Sequence, residues 1–462
     1  MMALGSVIGG SFFLGSAVAI NAAGPSILLG FIFGGALVYF ILFAISEMTV
    51  ANPSYGSFRT FAAEAFGKGT GFVVGWVYWT GMTLAMSSEA TAVSILVKAW
   101  IPNIPIAALG SIIIVGVTLL NLLGASRLSK LESGLAALKL FAILSFIIIA
   151  ITIIIGLFPG APTIGVGELA AEPLLPNGFA GLAGSMLIVM FTYAGFEVIG
   201  LAASEAVNPQ ITIPKAIRNT VISLVALYIV YIVVLLPLIP TKDINANTSP
   251  IVASMNRHGM TWAGTALNVV LISAILSTML AAMFGLGRMM RSLVDEGLAP
   301  RWLKDQGDVP YRGILASGFA MLISLGVGLL FPSAYLFLIS SGGFALLFSY
   351  VMIMATHIRF RKKNGCPPNG ECQLWGFPYT SLFVLIALIA SIVSMPFVSG
   401  QDSGLIAGGT VVVFFIICYM LLKVYNRREK TMRPAFYKKM DMATEISKEL
   451  NDFNKNDHTD KH

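Results

Sequence analysis

Charge is scarce in this chain: Asp, Glu, Lys and Arg make up 11% of its 462 residues. A soluble globular protein carries roughly a quarter, so a water-facing surface of ordinary size is excluded. Cysteine is scarcer still, and three cysteines are too few for a disulfide framework. Cys366 and Cys372, in "CPPNGEC", fall in a loop that the charge pattern assigns to the cytoplasm, where thiols stay reduced. The gap between them is wider than usual zinc spacings, so they read as two free thiols on a turn. A Walker sequence is missing, and "FGKGTG" at 66–71 lacks the strand–helix context of one, which argues against an ATP-driven pump. His, Cys and acidic residues do not come together at metal-ligand spacing in the apolar segments, and no nucleophile–base set is visible. No metal, cofactor or enzymatic activity is therefore expected. The start lacks the basic region and cleavage site of a signal peptide. It also lacks a polar segment before the first apolar run, from which a shortened N-terminus or a late start codon is expected.

Apolar length is what the chain has in abundance. Hydrophobic residues make up 56% and the mean hydropathy is +0.84. A membrane-spanning helix needs about 20 mostly apolar residues. Twelve such stretches can be marked: 2–23, 26–51, 71–98, 105–124, 133–157, 178–204, 216–240, 262–287, 314–331, 334–358, 378–398 and 402–424. An all-α membrane protein with twelve transmembrane helices is predicted. The net charge of +7 does not point to nucleic acid, because its distribution is topological. With alternating loops, Lys98, Lys242 and Arg257 face one side and Lys139 falls inside a span; every other Lys and Arg faces the opposite side. Basic loops stay cytoplasmic, so both termini are expected inside. From 425 to 462 the chain is polar and mixed in charge, and reads as a cytoplasmic tail with no assigned activity.

The first span, "ALGSVIGGSFFLGSAVAI", is interrupted by Gly5, Gly9, Gly10 and Gly15, although glycine costs about 1 kcal/mol against alanine inside a helix. Five spans on, "GLAGSMLIVMFTYAGFEVIGLAASEAVNP" again sets a glycine, Gly195, at mid-membrane. Paired glycine-interrupted spans at matching places in two halves point to a transporter site in an inverted repeat. Close helix packing is the alternative, and Gly5–Gly9 has its four-residue spacing. A broken helix bares N–H and C=O groups, and the break survives at membrane depth only where it lines a cavity or is buried in protein. A half-helix starting near Gly10–Ser11 would aim its N–H groups and positive dipole end at the gap, which suits a carboxylate. Carbonyls near Ile8 and around Phe191–Ala194 suit an ammonium. A ligand carrying both groups on one carbon is an α-amino acid.

These motifs resemble the bacterial amino acid transporter (AAT) family of the amino acid–polyamine–organocation (APC) superfamily. The resemblance rests on "ALGSVIGGSFFLGS", "SEMTVANPSYGSF" at 46–58, "FTYAGFEVIGLAASEAVNPQITIPKAI" at 191–217, "GLGRMMRSLVDEGLAPRWL" at 285–303 and "ISSGGFALLFSYVMIMATHIRFRKK" at 339–363. It covers spans one to ten closely and the last two loosely. It implies a 5+5 inverted repeat with discontinuous helices 1 and 6: helices 1–5 in 1–157, helices 6–10 in 178–358, and two extra helices in 378–424. It also implies proton-driven amino acid uptake at a bacterial cytoplasmic membrane. Carried over by position, Gly9, Gly10 and Ser11 would meet the substrate carboxylate. The backbone of Ile8, Phe191 and Ala194 would meet its ammonium, and Phe191 and Phe196 would wall or gate the pocket.

Ionisable groups inside spans cost about 2.5–3.5 kcal/mol each on insertion scales and are functional suspects. Lys139 lies seven residues into the fifth span. In relatives of the superfamily that use sodium, an ion lies between spans one, five and eight, and a lysine here resembles the proton-coupled members. Lys139 is expected to bridge to carbonyls of the broken first span; snorkelling to the cytoplasmic face is the alternative. Glu197, just past the sixth-span break, is a proton carrier or a cap on the second half-helix. Glu89, in span three, holds a proton or makes a structural hydrogen bond. Glu47 and Glu205, near cytoplasmic span ends, are expected to pair with Arg59, Lys215, Arg218 or Arg288. Met82, Met86, Met279 and Met283 read as core filler, some of it touching the substrate; Ser340 and Ser341 are weaker candidates.

The function expected is that of a secondary active importer of a neutral amino acid, H+-coupled and working by alternating access. An amino acid exchanger and a non-transporting amino acid sensor are the alternatives. Its partners are the amino acid, protons and the lipid bilayer; the outer loop at 99–104 has no cysteine, so no disulfide-linked partner subunit is expected.

Overall fold

The computed structural model describes residues 8–51, 57–157, 163–195, 197, 209–305, 307, 309–366 and 372–424, with the backbone alone at 125–133 and 209–213. The expected tail, Phe196 and Glu205 lie outside the described residues. Among the described residues the chain is helical, with no strand. A π-helical turn, Ser11–Gly15, runs into α1 (Ser16–Ala23). Gly24, at φ 64°, and Pro25 then turn the chain into α2 (Ile27–Ala51). There follow α3 (Ser57–Phe66), α4 (Lys68–Lys98), α5 (Ile106–Asn121), α6 (Ala125–Ile154), α7 (Gly178–Thr192), α8 (Pro209–Leu235), α9 (Pro250–Arg257), α10 (Thr261–Asp295), α11 (Tyr311–Gly328), α12 (Ala334–Asn364) and α13 (Tyr379–Val393). The last is α14 (Asp402–Val424). The chain divides into two compact units, Met1–Val411 and Val412–His462; the described part of the second is apolar helix.

Each of the twelve apolar stretches holds a helix. Among the described residues seven helical runs are long and apolar enough to cross a membrane, with Ser11–Ala51 counted as one run despite its turn at Gly24. α4 has the length, at 31 residues, but its polar side chains lower its hydropathy. Those hydroxyls are buried and bond back to the preceding turn: Ser87 to Thr83 O (2.8 Å), Thr91 to Ser87 O (2.9 Å) and Ser94 to Ala90 O (2.7 Å). Self-satisfaction of this kind lets a polar helix sit in an apolar interior. α7 has 15 residues, which at 1.5 Å per residue gives about 22 Å. That is short of a hydrocarbon core of about 30 Å, so α7 is too short to cross one by itself.

α6 shows which faces meet lipid. Phe141, Leu144, Ile148, Ile151 and Ile155 are exposed, while Ala136, Lys139, Ile143, Phe146, Ala150 and Ile153 are buried. Both sets repeat at three and four residues, the helical period. Among the described residues the exposed face is wholly apolar and Lys139 lies on the buried face, as expected of a helix packed on one side and facing lipid on the other.

Two expectations at the loop ends are corrected here. Glu47 pairs with none of the four cations named for it. Its carboxylate is buried with His357 (Nε2 to Oε2, 2.8 Å) and Arg361 (Nη1 to Oε2, 3.2 Å), and it accepts the Leu374 N–H at 2.7 Å. Ser381 lies 3.3 Å from His357 Nδ1. Arg59 instead pairs with Glu296, Nη1 lying 2.9 Å from Oε2, and donates to Ser292 at 2.7 Å. The pairing of Glu47 was hidden because its partners lie more than 300 residues away along the chain. Cys366 and Cys372, expected as free thiols, are joined in a disulfide, and Arg361 Nη2 lies 3.5 Å from the Cys366 sulfur.

Removing one partner of a buried charged set strands the others, at about 3–5 kcal/mol. Glu47→Ala is therefore expected to lower the melting temperature of the purified protein in detergent by several degrees. An unchanged melting temperature would show that the cluster does not brace the fold.

Candidate functional site

The first described residues of span one are not helical. Ile8 and Gly9 are irregular, and helix begins at Gly10. The Phe12 and Phe13 N–H groups both turn back to Gly9 O, at 3.1 and 3.2 Å. The first N–H groups of a helix have no partner inside it. Here they find one in another helix: Glu89 of α4 accepts from Gly10 N–H through Oε2 at 2.6 Å and from Ser11 N–H through Oε1 at 3.1 Å. Glu89 is only 3% exposed. The grip as it stands uses the space glycine leaves, since a Cβ at Gly10 would stand 2.5 Å from Glu89 Oε2 and the carboxylate would have to shift.

On the other side of the same irregular stretch, Lys139 donates from Nζ to Ile8 O at 3.2 Å and to Thr278 Oγ1 at 3.1 Å. Thr278 Oγ1, with one proton to give, lies 3.0 Å from Ile8 O and 3.1 Å from Ala274 O. Lys139 is 1% exposed, so its ammonium does not snorkel to the surface. Gly9 alone therefore separates a carbonyl held by Lys139 from the first of two amides held by Glu89.

In the sixth span the described helix ends in its own way. α7 ends at Thr192, Ala194 N–H turns back to Phe191 O at 3.0 Å, and Gly195 adopts φ 104°. That value lies where residues with a Cβ are strained. Tyr228 donates to Thr192 O at 3.1 Å, satisfying a carbonyl that the helix end leaves open. Beyond the break, Glu197 accepts from Gly195 N–H (3.0 Å), from the Tyr78 hydroxyl (3.1 Å) and from the Tyr350 hydroxyl (3.1 Å).

The irregular start of the first described helix and the turn after α7 share one small cavity, lined by Ser11, Met82, Ala85, Met86, Glu89, Phe191, Ala194, Gly195, Thr278, Ala282 and Leu346. Its volume is about 30 Å³, enough for a water and small for a larger ligand. Of the residues singled out from sequence, Ser11, Glu89, Phe191, Ala194, Met82 and Met86 come together here. Ile8, Gly9, Gly10 and Lys139 form the wall behind them, whereas Met279, Met283, Ser340 and Ser341 are buried without lining the cavity. Thr278, Tyr78 and Tyr350 were not anticipated. A hydroxyl in the middle of an apolar span was the one available signal, and many such hydroxyls only bond their own helix.

Fold and site together define a multi-pass membrane protein in which buried main-chain groups at two helix ends lie beside an internal cavity. The family model for amino acid permease matches residues 1–434, and the chain belongs to that family, within the amino acid–polyamine–organocation superfamily; it is a transport protein and not an enzyme. It is 28% identical over 436 residues to the gamma-aminobutyric acid permease of Bacillus subtilis (strain 168), covering 93% of each chain. It is 34% identical over 366 residues to the aromatic amino acid transport protein AroP of Escherichia coli (strain K12), covering 78% of this chain and 80% of the relative. To the gamma-aminobutyric acid permease of the same strain it is 31% identical, covering 90% and 91%. Among solved structures, a mutant of the Eremococcus coleocola manganese transporter matches with a TM-score of 0.55 at 14% identity, over 92% of both chains. That likeness concerns the fold alone.

Gly10→Ala places a methyl carbon 2.5 Å from Glu89 Oε2, closer than contact allows, so the carboxylate must shift. It is expected to reduce amino acid uptake by about tenfold or more while leaving expression and membrane insertion intact, as read by radiolabelled uptake against immunoblotted membranes. Full uptake would show that the close approach is dispensable.

Proposed function

We propose that this permease is a secondary active importer that carries a neutral amino acid together with a proton across the bacterial cytoplasmic membrane, by alternating access. In this reading, residues 1–157 and 178–358 form two inverted five-helix halves, 378–424 adds two helices, and both termini face the cytoplasm. The substrate carboxylate meets the amides of Gly9, Gly10 and Ser11. Its ammonium meets the backbone at Ile8, Phe191 and Ala194, with Phe191 and Phe196 beside it.

One observation carries the reading of proton coupling: the buried Lys139 ammonium bridging Ile8 O and Thr278 Oγ1, between α6, α10 and the start of the first helix. A fixed cation there supplies the charge that a sodium ion would otherwise bring. The neutral substrate is supported by the cavity lining, which is apolar apart from Ser11, Glu89 and Thr278. It also agrees with relatives whose names specify gamma-aminobutyric acid and aromatic amino acids, all zwitterions without net charge.

The test is uptake into proteoliposomes, preceded by a thermal-shift screen of the twenty amino acids and γ-aminobutyrate to choose the substrate. Accumulation should follow an inward proton gradient without internal amino acid. Lys139→Ala should lower it by about tenfold, a coupling of roughly 1.4 kcal/mol. Uptake that requires internal amino acid and ignores the gradient would make the protein an exchanger; unchanged coupling in Lys139→Ala would remove that residue from the mechanism.

A further inference from the structure

The amides of Gly10 and Ser11 are the donors at which a substrate carboxylate is expected, and a carboxylate is already there. Glu89 reaches both amides with both oxygens, at 2.6 and 3.1 Å. It lines the same cavity as Ser11, Phe191 and Ala194, and that cavity is about 30 Å³. Two carboxylates cannot share one pair of N–H donors, because each oxygen needs its own donor and like charges at that distance repel strongly. We propose that Glu89 is an internal stand-in for the substrate carboxylate, holding the Gly10–Ser11 seat until an incoming amino acid displaces it as it takes up a proton. This rests on the proposed transport of amino acids and assigns the proton of that cycle to a specific exchange.

The exchange balances. With no substrate bound, one carboxylate, that of Glu89, sits on the two amides. A proton from the outer side binds a Glu89 oxygen and makes the group neutral, a poor acceptor for two N–H donors at once. The substrate carboxylate then takes the pair. On release to the inside the proton leaves Glu89, which reclaims the amides. One carboxylate is on the seat at each end of the exchange, and one proton travels with one amino acid.

The surroundings of Glu89 suit this role. Lys139 from α6 acts on it electrostatically, and Tyr228 of α8 and Tyr335 of α12 lie near enough to feel its charge. The Tyr335 hydroxyl is 3.5 Å from Gly10 O. Across the cavity Glu197 is held by Gly195 N–H, Tyr78 and Tyr350. Of the two buried acids near the cavity, Glu89 is the one seated on the first-span amides, and Met82 and Met86 on its own helix give adaptable space into which it can swing.

The experiment measures, on the purified full-length protein, binding of whichever of the twenty amino acids or γ-aminobutyrate gives the largest thermal shift, between pH 5.5 and 8.5. Wild-type affinity should fall about tenfold per pH unit above the titration of Glu89, the slope for one proton bound with the ligand. Proton uptake in weakly buffered solution should approach one per amino acid. Glu89→Gln, which cannot ionise, should flatten the profile and abolish the proton uptake. The proposal is overturned if wild-type binding takes up no proton, a result that needs no variant, or if Glu89→Gln keeps the wild-type slope. If none of the amino acids binds the wild type, the amino acid reading itself has failed and this inference falls with it. Binding without the proton linkage defeats the inference alone.

Discussion

The structure turns on a short stretch of main chain, Ile8 to Ser11, whose opposite ends are held by opposite charges. A peptide carbonyl and two peptide amides are left bare by the start of the helix. In lipid each would cost several kcal/mol. Lys139 and Glu89, each expensive to bury alone, satisfy them from two neighbouring helices. Neither ion would be tolerable without the bare dipoles, nor the bare dipoles without the ions. Mutual dependence of this kind explains why a chain with so little charge places an acid and a base near the centre of its apolar mass. It also explains the glycines, since Gly10 gives Glu89 room to come within hydrogen-bond distance of the backbone.

The second break, after α7, is organised differently. Gly195 turns the chain with a positive φ, and Glu197 is tied to the turn by its own i−2 amide and by two tyrosines. It is wrapped by neutral donors, whereas Glu89 stands in the field of an ammonium. The two buried acids are therefore held differently: Glu197 by the turn after α7 and two tyrosines, Glu89 by the first amides of the first described helix.

Much of this was legible in the sequence because it is local. Apolar length marked where helices run; glycines marked a helix start at Gly10 and the turn after Thr192; and a lysine deep in a span marked a polar partner on the inside. The unread part is tertiary. Thr278 meets Ile8 across 270 residues and Glu47 meets His357 across 310, and no periodicity within either helix reports such a meeting. Glu89 was noticed as a buried acid, but its seat on the first-span amides could not be, because the sequence assigns those amides to a ligand. The Cys366–Cys372 bond is not legible for another reason: a cytoplasmic setting predicts free thiols, while the structure joins two sulfurs six residues apart.

The most direct measurement is an experimental structure of the permease with an amino acid bound, at a resolution that separates carboxylate oxygens. The account requires the ligand's carboxylate on the amides of Gly10 and Ser11, Glu89 turned off them, and Lys139 still on Ile8 O. A bound amino acid with Glu89 still gripping both amides would contradict it.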